Sequence, residues 1–189
     1  MSAPTTSVFE ITGDYVLDPN HTRISFVARH AMVTRVRGYF ASFSGTAHLD
    51  ARDPSRSTAQ VTIDASSIST ANEQRDAHLR SNDFFAMDRY PTITFTSTSV
   101  QAIDQSHFRL TGDLTIKDVT RSVDVDFELT GESIDPYGQQ RLGFEGSTTI
   151  NRKDWGVSWN APLETGGVLV SDMVTLEIDV AAIKQKPAT

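Results

Sequence analysis

A period of two runs through most of this chain, and it narrows the fold more than any other feature. Val123, Val125, Phe127 and Leu129 alternate with Asp124, Asp126, Glu128 and Thr130. Val174, Leu176, Ile178 and Val180 alternate with Thr175, Glu177 and Asp179. The same rhythm marks Ile24–Phe26–Ala28, Val61–Ile63–Ala65, Ile93–Phe95 and Phe108–Leu110–Leu114–Ile116. Successive strand residues point to opposite faces, so each run reads as a strand with one apolar side. Val, Ile and Thr supply 48 of the 189 residues, a β-branched content that suits pleated surfaces. Turn signals separate the runs at Asp18-Pro19-Asn20, Asp53-Pro54-Ser55, Asp104-Gln105-Ser106, Lys117-Asp118 and Asp135-Pro136-Tyr137-Gly138. Residues 37–50 read as one long strand that changes phase, with Gly38 and Phe40 in one register and Phe43, Gly45, Ala47 and Leu49 in the other. A bulge near Ala41–Ser42 is expected there, bending the strand as barrel closure demands.

Two segments depart from the pattern. Thr70-Ala71-Asn72-Glu73 reads as a capping box ahead of a helix over 71–80, followed by a short turn holding Phe84 and Phe85 and ended by Arg89-Tyr90-Pro91. Residues 151–171, with Trp155 and Trp159, form a long connection of the kind that often carries function. The expected fold is all-β: an up-and-down eight-stranded antiparallel barrel with one helical excursion at about residues 71–88. The expected division is a flexible segment 1–12, a barrel domain 13–183 and a tail 184–189.

Several function classes recede. The net charge is −7, so the chain is expected to repel phosphodiester backbones and anionic bilayers, which disfavours nucleic acid as a partner. Cysteine is absent, so disulfides, thiol nucleophiles and thiolate metal sites are excluded. No apolar run approaches the ~18 residues of a membrane span. The N-terminus lacks the pattern of a secretory leader, so a cytoplasmic protein is expected. Nucleophile-elbow, P-loop, dinucleotide and zinc-protease motifs are missing, and the five histidines are scattered, so neither a metal nor a cofactor is expected. Asp124 and Asp126 fall on the solvent side of their strand and read as a charged outer face.

An eight-stranded barrel is just wide enough to be filled by side chains or to hold one small ligand. The inward set here is rich in Phe and β-branched aliphatics, and a filled core and an apolar tunnel fit it alike. Arg75, Asp76, His78 and Arg80 crowd the helix, which reads either as a solvated crossover or as the border of an opening.

Ordered motifs then resemble the YceI-like family. They are Tyr15–Thr22 with Ile24–His30, Arg37–Phe40, Ile68–Thr70 with Arg75–Ser81, Asp83–Phe85, Tyr90–Phe95, Leu110–Thr120 and Asn151–Gly156. The resemblance spans about residues 13–183. It implies a lipocalin-like barrel whose elongated tunnel binds polyisoprenoid, quinone-type or related amphiphiles. Family members are often periplasmic and are linked to stress responses. This chain differs in carrying Trp155 where another aromatic such as Phe is common, and Asp118 where Gly often sits.

The function so implied is non-enzymatic carriage or sequestration of a long-chain isoprenoid or similar lipid. A fatty-acid-type binder, a partner-binding barrel with a filled core, and a small-ligand enzyme using Asp76, His78 and an arginine are the alternatives. Phe26, Phe40, Phe43, Ile63, Ile93, Phe95, Leu114, Phe127 and Phe144 are the expected lining, and Phe84 and Phe85 the closure of one end. Arg75 and His78 are expected beside the ligand's polar head, together with Arg152 and Asp154, and Trp155 is a further expected ligand-binding residue. Arg152 and Asp154 also fit a structural ion pair fixing the long connection. Base rates leave a homodimer open.

Overall fold

The computed structural model describes residues 10–187; most of the expected flexible segment 1–12 and the end of the tail lie outside them. Eleven strands are β1 (Gly13–Leu17), β2 (Arg23–His30), β3 (Thr34–Phe40), β4 (Phe43–Leu49), β5 (Thr58–Asp64), β6 (Ile68–Ser69), β7 (Thr92–Ala102), β8 (His107–Ile116), β9 (Val119–Ile134), β10 (Gln140–Asn151) and β11 (Met173–Lys184). One helix, α1 (Glu73–Arg80), lies between β6 and β7.

These strands make eight staves. β1 and β2 both lie along β11, through Leu17↔Ala182 and Ile24↔Ile178, and act as one bent strand. β3 and β4 follow β2 and β1 in the same way, and β5 and β6 follow β4 and β3. β7 to β11 then meander antiparallel, and β1–β11 pairing closes the barrel. The sequence pattern sets each stave: Val123 and Val125 are buried, whereas Asp124 and Asp126 face out, where Asp126 takes Arg109 at 2.8 Å and Asp124 accepts from Thr111 at 2.6 Å. The Lys117–Asp118 hairpin holds both residues at positive φ, 53° and 60°, the left-handed geometry of a two-residue turn matched to strand twist.

Three local readings are corrected. The phase change at Ala41–Ser42 is a break between two strands. Here Ala41 N–H donates to the Ser67 carbonyl and Ser42 C=O accepts from Asp64 N–H, so the backbone leaves one ladder before joining the next. True register shifts occur at Ser97/Ser99 in β7 and Gly143/Phe144 in β10. The helix cap is Asn72, whose side chain accepts the Arg75 amide at 3.0 Å. Thr70 is drawn away because both its amide (2.8 Å) and its hydroxyl (2.5 Å) donate to buried Asp76. Only 73–80 of the expected 71–88 excursion is α-helical, and hydrogen-bonded turns carry the chain to Tyr90.

The bend between β1 and β2 is pinned by charge. Asp18, 5% exposed, accepts from Asn20 N–H (2.9 Å), the His21 ring (2.7 Å) and Arg141 (2.7 Å), and Arg141 also holds Asp135 at 2.9 Å. Desolvation pushes the Asp18 carboxyl up, but the hydrogen bonds from His21, Arg141 and Asn20 outweigh it and hold the group at about 2.

Candidate ligand cavity

Hairpins 50–57, 103–106 and 135–139 gather at one end of the barrel, and α1, turns 81–90 and the 152–172 connection cover the other. Between them lies a cavity of about 590 Å³, within the range of small-molecule sites. Its wall is almost wholly apolar: Phe26, Val61, Phe95, Leu114, Phe127 and Leu176 ring the middle. The capped end is closed by Leu79, Phe84, Phe85, Val157 and Val170 above a sealed core that includes Ile68, Met87 and Trp155. At the hairpin end Ala51, Ala102, Asp104 and Gln105 line the cavity while exposed to solvent, which makes this end the mouth.

Glycines keep the lumen open. Gly38 faces Phe26 across β2–β3, and Gly146 faces Phe127 across β9–β10. A Cβ on Gly38 would overlap the Phe26 ring, and one on Gly146 would fall 2.5 Å from Phe127 Cδ1 and Cε1. Gly112 receives Phe95 in the same manner. Each ring therefore lies flat on a bare stretch of wall, the arrangement by which an aromatic covers a strand glycine.

The structure sorts the expected site residues. Phe26, Phe40, Ile63, Phe84, Phe85, Ile93, Phe95, Leu114, Phe127, Phe144 and Arg152 line the cavity. Phe43, Arg75, His78, Asp154 and Trp155 do not. Phe43 packs half-buried against the sealed core. Arg75 turns back to Thr70, with Nε on its hydroxyl at 2.7 Å and Nη2 on its carbonyl at 2.8 Å. His78 bonds Asp83 at 2.8 Å and stands edge-on to Trp159 and Phe84, latching α1 to the connection. Trp155, 3% exposed, donates its indole N–H to the Leu114 carbonyl at 2.9 Å and is a strut.

Arg152 and Asp154 form no ion pair. Asp154 is exposed, whereas Arg152 is buried and donates to the carbonyls of Ser171 (2.9 Å), Val157 (2.6 Å), Trp159 (3.0 Å) and Val170 (3.4 Å). One guanidinium thus gathers both limbs of the connection. Desolvation lowers its pKa and Asp172, 4.0 Å away, opposes that shift. The mouth residues Asp50, Asp104 and Gln105 were missed, because Asp104-Gln105-Ser106 carries only a turn signal in the sequence. Among the described residues no group of His, Asp and Glu is placed to hold a metal, and no helix is long and apolar enough to cross a membrane.

A closed antiparallel barrel around an apolar cavity defines a lipocalin-like binding fold. Residues 15–182 match the YceI-like domain, and the chain belongs to that family. It is 40% identical over 165 residues to UPF0312 protein SAS2572 of Staphylococcus aureus (strain MSSA476), covering 87% of this chain and 94% of that one. The crystal structure of Burkholderia cenocepacia BcnA superposes with a TM-score of 0.77 at 24% identity, covering 87% of this chain and 98% of that chain. A polyisoprenoid binding domain from Saccharophagus degradans, implicated in plant cell wall breakdown, gives 0.70 at 16% identity, covering 90% and 98%.

Proposed function

We propose that the protein is a non-enzymatic carrier of a long-chain isoprenoid or similar amphiphilic lipid, a polyprenyl or quinone-like molecule among them. The observation that carries this reading is the continuous apolar lumen of about 590 Å³ with polar groups at its mouth. The family membership and the fold shared with a polyisoprenoid binding domain support it. The tail lies along the lumen and the polar end rests beside Asp104 and Gln105. Each buried CH₂ contributes ~0.8 kcal/mol. About a dozen carbons therefore supply on the order of 10 kcal/mol gross, from which the ordering of chain and protein is subtracted. Because this gain is non-directional, affinity depends little on salt.

Organic extraction of protein purified from lipid-containing cells, followed by mass spectrometry, tests the proposal. An isoprenoid-type molecule in the extract is expected. A clean extract, together with no uptake of added polyprenol or quinone, overturns it.

A further inference from the structure

The capped end carries a surface that the cavity does not use. At the tip of the β2–β3 hairpin, Met32 is 62% and Val33 76% exposed. Val168 (38% exposed) lies in the adjoining segment, which Ala31 joins by an N–H bond to the Leu169 carbonyl at 2.8 Å. Ala31 and Met32 both sit at positive φ, 51° and 61°, a conformation that side-chain-bearing residues adopt at a cost and that Asn-Gly fills readily. One rung below, Arg29 stands directly opposite Arg35, and like charges so placed repel. Both are exposed, and among the described residues neither joins an ion pair. Asp172, at the foot of the connection, is already taken by Lys153 at 3.1 Å. A strained turn, an apolar tip and an unopposed arginine pair gather at one place, where the Met32 side chain lies against Gly167 of the connection and Val33 stays in water.

We propose that this tip docks on an anionic phospholipid bilayer, with Met32 and Val33 among the headgroups and Arg29 and Arg35 against lipid phosphates. Charge complementarity selects this occupant: the chain as a whole is at −7, yet Arg29 and Arg35, exposed and opposite each other, flank the apolar tip. The contact tethers the protein by its capped end, leaves the mouth in water, and does not depend on the cargo.

The test is co-sedimentation of the full chain with phosphatidylcholine vesicles and with vesicles of equimolar phosphatidylcholine and phosphatidylglycerol. Binding to the mixed vesicles only, weakened by added salt, is expected. Arg29→Gln and Arg35→Gln each weaken it about fivefold, and Arg56→Gln at the other end leaves it unchanged. Val33→Ser weakens it too and leaves the melting temperature unchanged, because Val33 is 76% exposed. That unchanged melting separates docking from loss of fold. Equal binding to both vesicle types, no binding to either, full binding by the arginine variants, or self-association in sedimentation velocity that Val33→Ser abolishes would each overturn the proposal.

Discussion

Gly146→Ala tests the idea that the lumen exists because rings lie on glycines. The new Cβ falls 2.5 Å from two carbons of Phe127, and its three nearest neighbours all belong to that ring. Carbon atoms rest at about 3.5–4.0 Å, so the ring retreats by about 1 Å or more, and the lumen is where it has room to go. Stability changes little. Removing a glycine stabilises by ~0.4–1 kcal/mol through the unfolded chain, and an off-rotamer ring costs ~0.5–1.5 kcal/mol. Binding changes more. A ring that displaces three or four methylenes of the ligand removes roughly 3 kcal/mol at ~0.8 kcal/mol each, about a hundredfold in affinity. The assay is displacement of a fluorescent polyprenol, beside thermal melting of each variant. Phe127→Leu added to Gly146→Ala restores most of the affinity, a coupling that a double-mutant cycle reads directly. Gly146→Ala binding as tightly as the parent chain, with an unchanged melting temperature, would refute the reasoning.

Three further outcomes are expected. Asp18 titrates near 2 in the folded chain, below its ordinary 3.8. Its contribution, roughly 2 kcal/mol, is therefore fully present above pH ~4 and lost as the pH falls through about 2; Asp18→Asn lowers stability at neutral pH and flattens this acid limb in denaturant titrations. Val61 lines the cavity and Thr62 is exposed on the outer face, so Val61→Trp reduces lipid uptake whereas Thr62→Trp retains it, and equal uptake would place the ligand elsewhere. Trp159 is half-buried with its ring 5.3 Å from Phe84, which lines the cavity, so lipid loading shifts tryptophan emission and Trp159→Phe removes most of the shift, as stopped-flow fluorescence would record.

The barrel was legible because every stave repeats one face. Val123–Leu129 and Val174–Val180 name their inward residues without ambiguity, and the turns on either side of β9 are short enough to force antiparallel neighbours. The phase change at Ala41–Ser42 was legible as a position and misread as a form, since a bulge and a break both swap faces. Charged side chains were the least legible. Arg75 and Asp154 sit beside inward residues in sequence, yet Arg75 folds back on Thr70 and Asp154 faces solvent. Arg152 was picked out for a carboxylate partner and finds backbone carbonyls instead. Such partners have no sequence signal, because a carbonyl is available at every residue.

Whether the barrel is hollow is decided by a relation between positions. Phe26 and Phe127 look like core fillers when each strand is read alone, and Gly38 and Gly146 look like weak points. In register, each ring covers the hole that its glycine leaves, so the two supposed defects cancel and the space in front of them stays free. A filled barrel would need a side chain at those glycines and a ring pointing inward. An inward glycine paired across the ladder with phenylalanine is thus a sign of a lumen: between β2 and β3 the pairing follows from the turn, whereas between β9 and β10 it needs the register shift at Gly143/Phe144, without which Gly146 would face Glu128.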